Sequence, residues 1–63
     1  MQEWQVRVIE ERDELKVKFD RLVQFMEEGM KGVEGYDRNL LDQQHVHMRA
    51  YLHILDARIA RFR

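Results

Sequence analysis

Arginine and aromatic side chains lie toward both ends of the chain, where together they could bind a phosphorylated ligand that carries a ring. The arginines nearest the ends are Arg7, Arg12, Arg58, Arg61 and Arg63. A guanidinium group donates hydrogen bonds in a rigid fork that matches a phosphate, and it also stacks on rings. Trp4, Tyr51 and Phe62 could stack on a base. The residue types therefore favour recognition of a small anionic, aromatic molecule.

Six residues are the candidates for ligand binding. Gln44, Tyr51 and Arg58 recur at a spacing of seven, so a single helix would present them in one row. Lys18 adds a cation from the first half of the chain. The complete set is Arg7, Arg12, Lys18, Gln44, Tyr51 and Arg58.

A purely structural interpretation competes with this one. Arg12 would then pair with Glu11, or with Asp56 of a neighbouring chain. Tyr51 would be an aromatic residue at the rim of a core, and the terminal arginines would favour the negative C-terminal end of a helix dipole. Both interpretations stay open at the level of the sequence.

The histidines do not predict a metal site, and no catalytic group is evident. On one helix His45 and His47 are separated by about 160° around the axis, so they cannot converge on a single ion. We expect a half-buried His45, with His47 and His53 at the rims. The chain has no cysteine, no Ser/His/Asp arrangement and no carboxylate pair in an evident cleft. We therefore expect neither an enzyme nor a cofactor.

Two amphipathic helices must position these residues. Apolar residues recur every three or four positions and form two seams, each with one polar member. The first seam is Val8, Arg12, Leu15, Phe19, Leu22 and Met26, and the second is Leu41, His45, Met48, Leu52, Leu55, Ile59 and Phe62. The pattern predicts helices over about 3–29 and about 37–62, with Asp37 and Asn39 as candidate N-caps of the second.

A glycine-rich turn, predicted over about 29–36, joins the two helices. It contains all three glycines but no phosphate-binding Gly-Lys-Ser/Thr pattern. The fold prediction is one all-α domain over 1–63, an antiparallel two-helix hairpin. In the expected register Trp4 faces Phe62, Val8 faces Arg58, Leu15 faces Tyr51, and Leu22 faces Gln44.

A hairpin of this size is expected to assemble into a homo-oligomeric helical bundle. A single core this small rarely supplies more than about 3–5 kcal/mol. Further apolar residues lie outside both seams, and some of them must be exposed in a monomer. They are Val6, Ile9, Val23, Phe25, Leu40, Val46 and Ile54.

Composition narrows the remaining classes of partner and compartment. The 63-residue chain has a formal net charge of −1, with 11 basic and 12 acidic residues. This balance gives no signal for a nucleic-acid polymer. No apolar run approaches the about 20 residues that span a bilayer, and the first residues lack the apolar core of a signal peptide. We expect no membrane partner and a cytoplasmic location.

The two amphipathic stretches, over residues 5–25 and 40–62, carry a resemblance that covers nearly the whole chain, to small helical-hairpin proteins encoded by tailed and crAss-like phages. Residues Gln5 to Leu22 and Phe25 resemble their first helix. Leu40, Leu41, Gln44, Met48, Tyr51, Leu52, Leu55 and the stretch Arg58 to Phe62 resemble their second. The architecture is similar to the hairpin domain of phage anti-CBASS and anti-Thoeris sponges. This resemblance implies a homo-oligomer that sequesters a cyclic nucleotide or cyclic ADP-ribose signal in the host cytoplasm without cleaving it.

Two other functions remain open. The chain could be a small protein-binding inhibitor or adaptor that acts through a helical face, as small anti-CRISPR proteins do. It could also be a purely structural coiled-coil element. A sponge should bind small ligands without a partner protein, whereas an adaptor should bind none.

Overall fold

The computed structural model describes all of residues 1–63 and consists of two α-helices packed side by side. α1 spans Glu3–Glu27 and α2 spans Tyr36–Ile59. The molecule is a rod with extents of 45 × 15 × 15 Å. This architecture confirms the predicted all-α hairpin.

A glutamine pair fixes the start of α1. The backbone N–H of Gln2 donates to Oε1 of Gln5 at 2.8 Å, so the side chain of Gln5 turns back over the first turn of the helix. Gln5 is among the four most buried residues of the chain, although it is polar. The hydrogen bond satisfies the side-chain carbonyl oxygen of Gln5, which offsets the cost of burying this polar side chain.

α1 ends in a glycine-dependent reversal of the backbone. The N–H of Gly29 donates to the carbonyl oxygen of Met26, and the N–H of Met30 donates to that of Phe25, each at 3.1 Å. This pair of bonds is the Schellman arrangement, which requires a left-handed residue just beyond the helix. Gly29 supplies it with φ of +93°. Gly29 follows the C-cap residue Glu28 and begins the glycine-rich turn.

The connection to α2 is held by an arginine rather than by a capping carboxylate. Arg38 donates to the carbonyl oxygens of Gly29 at 2.7 Å and Val33 at 3.0 Å, and so bridges the turn. Gly35 is the N-cap of α2, without a side-chain cap bond. The prediction that Asp37 or Asn39 caps α2 is therefore wrong. Because the helix begins at Tyr36, Asp37 lies in its first turn, where its charge favours the helix dipole.

The two predicted seams face each other. Val8 of α1 and Leu52 and Leu55 of α2 are buried, and Leu55 is fully excluded from solvent. All other seam residues are half-buried. With only one layer of helix on each side, most seam residues keep one edge in water, which limits the hydrophobic stabilisation of the monomer.

Ring contacts across the interface set the register. Trp4 and Phe62 pack edge to face with centroids 5.2 Å apart, and they close the open end of the hairpin as predicted. Phe19 stacks on His45 at 5.1 Å. His45 is half-buried and both His47 and His53 are exposed, which agrees with the sequence-based expectation.

Several large apolar side chains remain exposed after the seam is formed. Among the residues outside the seams, Ile9, Val23 and Phe25 are half-buried. Val6, Leu40, Val46 and Ile54 are exposed.

Neither helix combines the length and apolar character that crossing a membrane requires.

Candidate functional site

Two polar bridges connect the helices, and they lie on opposite sides of the seam. Tyr51 donates its hydroxyl hydrogen to Glu11, while Nε of Arg12 donates to Oδ1 of Asp56 at 2.7 Å. Glu11 and Arg12 are consecutive, so they point about 100° apart around α1 and flank the seam. The hairpin therefore has a tyrosine side and an arginine side.

Five of the six predicted ligand-binding residues share the tyrosine side. Arg7 and Lys18 lie four residues before and seven residues after Glu11, so all three follow one side of α1. Gln44 and Arg58 lie seven residues before and after Tyr51 on α2. We call this surface the Tyr51 face, and it comprises Arg7, Glu11, Lys18, Gln44, Tyr51 and Arg58.

Arg12 is the predicted site residue that lies elsewhere. Besides Asp56, it contacts Asp13, with NH1 donating to Oδ1 at 2.9 Å. The pKa of Arg12 is raised, first by the hydrogen bond to Asp13 and then by the bond to Asp56. The expected partner Asp56 is correct, but it belongs to the same chain rather than to a neighbouring one. Arg12 thus ties α1 to α2.

The Tyr51 face divides into two groups along the rod. Seven residues of helix rise by about 10 Å, so Gln44 and Arg58 each lie about 10 Å from the level of Tyr51, in opposite directions along α2. Lys18 is likewise about 10 Å from Glu11. The group near the open end contains Arg7, Glu11, Tyr51 and Arg58. Arg7 and Arg58 lie toward the open end of the rod, whereas Lys18 and Gln44 lie toward the turn.

The side chains of the Tyr51 face differ in the interactions that they make within the chain. Arg7 forms an ion pair with Glu3, with NH2 and Oε1 2.6 Å apart, and both side chains are largely exposed. Gln44 donates to Sδ of Met48 at 3.6 Å. Lys18 and Arg58 take part in none of the side-chain hydrogen bonds or ion pairs of the chain. Arg58 is thus a cation available to an incoming anion.

The hydroxyl of Tyr51 is held in its protonated form. Its pKa is raised, first by the hydrogen bond to Glu11, then by burial and by the negative charge of Glu11. The charge of Arg58 acts in the opposite direction. Arg58 follows Tyr51 by seven residues in the same row of α2, and its positive charge favours the ionised form of the tyrosine.

Aromatic and basic groups continue from the Tyr51 face to the end of the rod. Trp4 is 52% exposed, so part of its ring surface is accessible beside Phe62. A depression of about 290 Å³ lies at the C-terminal end of α2. Its lining residues are Ala60, Arg61, Phe62 and Arg63. Cations and ring surfaces are therefore adjacent at the open end.

Glu11 is the member of this site that the sequence analysis did not identify as a site residue. The sequence indicates Glu11 only as an ion-pair partner of Arg12. The predicted register places Leu15 opposite Tyr51, and Glu11 lies one helical turn before Leu15 on α1, which is the signal that could have identified the pair. The structure contains no group of three or more His, Asp or Glu side chains placed to hold a metal ion.

The family model described as Sequestin matches residues 2–61 of the chain. The matched range contains both helices and the turn between them. The family name is consistent with a protein that sequesters another molecule. Searches of curated proteins and of solved structures returned no match.

Proposed function

The chain belongs to the Sequestin family, and on that premise we propose that it binds a small phosphorylated signalling nucleotide and holds it without cleaving it. The observation that carries the proposal is the group of Arg58, Tyr51 and Arg7 beside the exposed ring of Trp4. A nucleotide offers the two complementary features, a phosphate for the guanidinium groups and a base for the ring.

The charges of the open end favour an anionic ligand. Arg58 has no partner within the chain, so a phosphate would gain its hydrogen bonds without displacing another group. The ion pair between Arg7 and Glu3 is exposed, and exposed pairs are weak. A phosphate that reaches Arg7 can therefore compete with Glu3 for its guanidinium.

The chemistry of the same group supports retention rather than cleavage. A general base needs a pKa near the working pH, but the raised pKa of Tyr51 moves its hydroxyl away from neutrality. The side chains of the open end are also exposed to water, which gives little of the enclosure that catalysis by electrostatic stabilisation requires. We therefore propose a binding protein and not an enzyme.

The resemblance to phage sponges supports the proposed biological setting. The proposed ligand is a cyclic nucleotide or a cyclic ADP-ribose-type immune signal of the host. The protein would act as an anti-defence sponge in the host cytoplasm, and its partners would be the ligand and further copies of itself. No nucleic-acid polymer, membrane or cofactor enters the proposal.

Calorimetric titration with a panel of cyclic di- and trinucleotides and cyclic ADP-ribose isomers tests this function. Arg58→Ala should weaken binding by about tenfold to hundredfold, as expected for loss of a charged hydrogen bond. Arg21→Ala is the matched control, because Arg21 is an exposed arginine without an ion pair in the other half of the rod. Equal losses of ligand affinity in both variants would contradict the assignment of the ligand-binding site to the open end.

Chromatography of the released ligand separates a sponge from a catalyst. The proposal predicts that the ligand is recovered unchanged, and a cleaved product would contradict it. If no panel member binds, the alternative of a small protein-binding inhibitor or adaptor gains support. The exposed apolar side chains Val46 and Ile54 are the surface that favours this alternative.

A further inference from the structure

The outer side of α2 carries an apolar groove that no other part of the chain covers. The groove has a volume of about 520 Å³ and is lined by Val46, Arg49, Ala50, His53 and Ile54. We call these five residues the α2 groove. Val46 is 50% exposed and Ile54 is 54% exposed. The groove includes neither Tyr51 nor Arg58, so it is separate from the Tyr51 face.

The hairpin exposes more surface than a compact monomer of its mass. Its accessible area is 5197 Å², whereas a compact chain of 7.8 kDa would expose about 4,400 Å². The excess of about 800 Å² equals the area that each partner buries in a protein–protein interface of standard size. A second copy packed along the rod would bury a surface of that size.

We propose that the α2 groove is occupied by the same groove of a second copy, with the two α2 helices antiparallel. Val46, Ala50 and Ala57 follow one side of α2, and the small alanine side chains allow two helix backbones to approach closely. The outer side of α1 is less suitable, because acidic residues separate Val6 from Val17.

Charges beside the groove select one register of the two helices. Asp42, Arg49 and Asp56 recur every seven residues along one edge of α2. In an antiparallel pair this edge meets the same edge of the other copy. If Ala50 faces His53 of the partner subunit, Arg49 lies beside Asp56 of the partner subunit, and symmetry repeats the pair. A shift of seven residues instead brings like charges together, either two Arg49 or two Asp56 side chains.

The groups that form this pair are available in the hairpin. Arg49 takes part in none of its ion pairs. Asp56 accepts from Arg12 through Oδ1, which leaves Oδ2 free to accept from a second guanidinium. The inference specifies the surface of the self-association proposed above, and it does not depend on the identity of the ligand.

Sedimentation equilibrium of two matched lysine variants tests the surface. Val46 and Val17 are both 50% exposed valines on the outer sides of their helices. Val46→Lys should raise the dimer dissociation constant by at least about a hundredfold, because it buries a charge in the interface. Val17→Lys should leave the dimer unchanged, and circular dichroism should confirm that both variants are helical.

The outcomes separate the inference from the broader proposal. A monomeric wild-type chain would overturn self-association altogether. A dimer that survives Val46→Lys would overturn only the α2 groove as its surface, and weakening of the dimer by Val17→Lys would do the same. Ligand binding is measured separately and does not affect these outcomes.

Cross-linking tests the register, since the chain has no cysteine of its own. Ala50→Cys and His53→Cys are mixed, re-equilibrated and oxidised. The antiparallel register predicts a disulfide between the two variants, because facing positions fall within the distance that a disulfide spans. Disulfides formed only within each variant, or no cross-link in an intact dimer, would overturn the register.

Discussion

Truncation of Leu55 should remove a large part of the stability of the hairpin. Leu55 is fully buried, whereas Leu40 on the same helix is 43% exposed. Leu→Ala substitutions in cores cost about 2–5 kcal/mol. The value for Leu55 should lie near the lower limit, about 2–3 kcal/mol, because a core with one helix on each side can collapse around the gap.

The expected change in melting temperature follows from the size of the chain. For small domains each 1 kcal/mol shifts the midpoint by about 4–8 °C, so Leu55→Ala should lower it by about 10–20 °C. Leu40→Ala should change the free energy of unfolding by less than about 1 kcal/mol, since its side chain loses little burial and alanine favours the helix.

Urea and thermal unfolding, followed by far-UV circular dichroism, measure both variants. All samples must be compared at one protein concentration, because self-association raises the apparent stability with concentration. Equal destabilisation by the two substitutions would refute the assignment of Leu55 to a core that Leu40 does not share.

Three further substitutions test local features of the hairpin. Gly29→Ala should destabilise it by about 1 kcal/mol or more in urea titrations, because φ of +93° strains any residue with a Cβ. Tyr51→Phe should remove the tyrosine that ionises late in an absorbance titration at alkaline pH. The pKa of Tyr51 is raised in the folded chain, so the hydrogen bond to Glu11 stabilises the fold at any pH below the ordinary pKa of tyrosine. This stabilisation is lost as the pH rises through the pKa that Tyr51 has in the folded chain. Arg12→Ala should lower the melting temperature slightly, since its bond to Asp56 is exposed, and should leave ligand affinity in titrations unchanged; loss of binding would instead make Arg12 a ligand residue.

The regular part of the fold could be predicted from periodicity. Seams with a helical period must be buried on one side, and two helices of nearly equal length can bury them against each other by folding back. Because the two helices are nearly equal in length, the hairpin also brings the two ends of the chain together. The contact between Trp4 and Phe62 could therefore be predicted.

Features that depend on the irregular backbone could not be predicted in this way. The position of the N-cap of α2 depends on where the turn ends and the helix begins. Gly35 is the N-cap residue, with φ of +60°. The turn itself is held by Arg38 through the carbonyl oxygens of Gly29 and Val33. Bonds from side chains to backbone in a loop have no periodic signature, so the sequence favoured the wrong capping residues.

The side of the hairpin on which each polar residue lies depends on the rotation of the helices about their axes. Arg12 is a seam residue by periodicity, and its partner could belong to the same chain or to another. Only the packed pair places Arg12 against Asp56 and Glu11 against Tyr51. The same rotation places Arg12 on the other side of the seam from Tyr51 and Arg58, whose common row could be predicted from their spacing of seven residues.

Native mass spectrometry of the protein purified from cells that make cyclic nucleotides tests the proposed function most directly. A sponge should carry an added mass equal to one intact signalling nucleotide per site. The added mass should disappear in Arg58→Ala and persist in Arg21→Ala. A wild-type protein recovered only at its own mass, or bound to a cleaved fragment of the nucleotide, would contradict the proposal that this chain holds a signal intact.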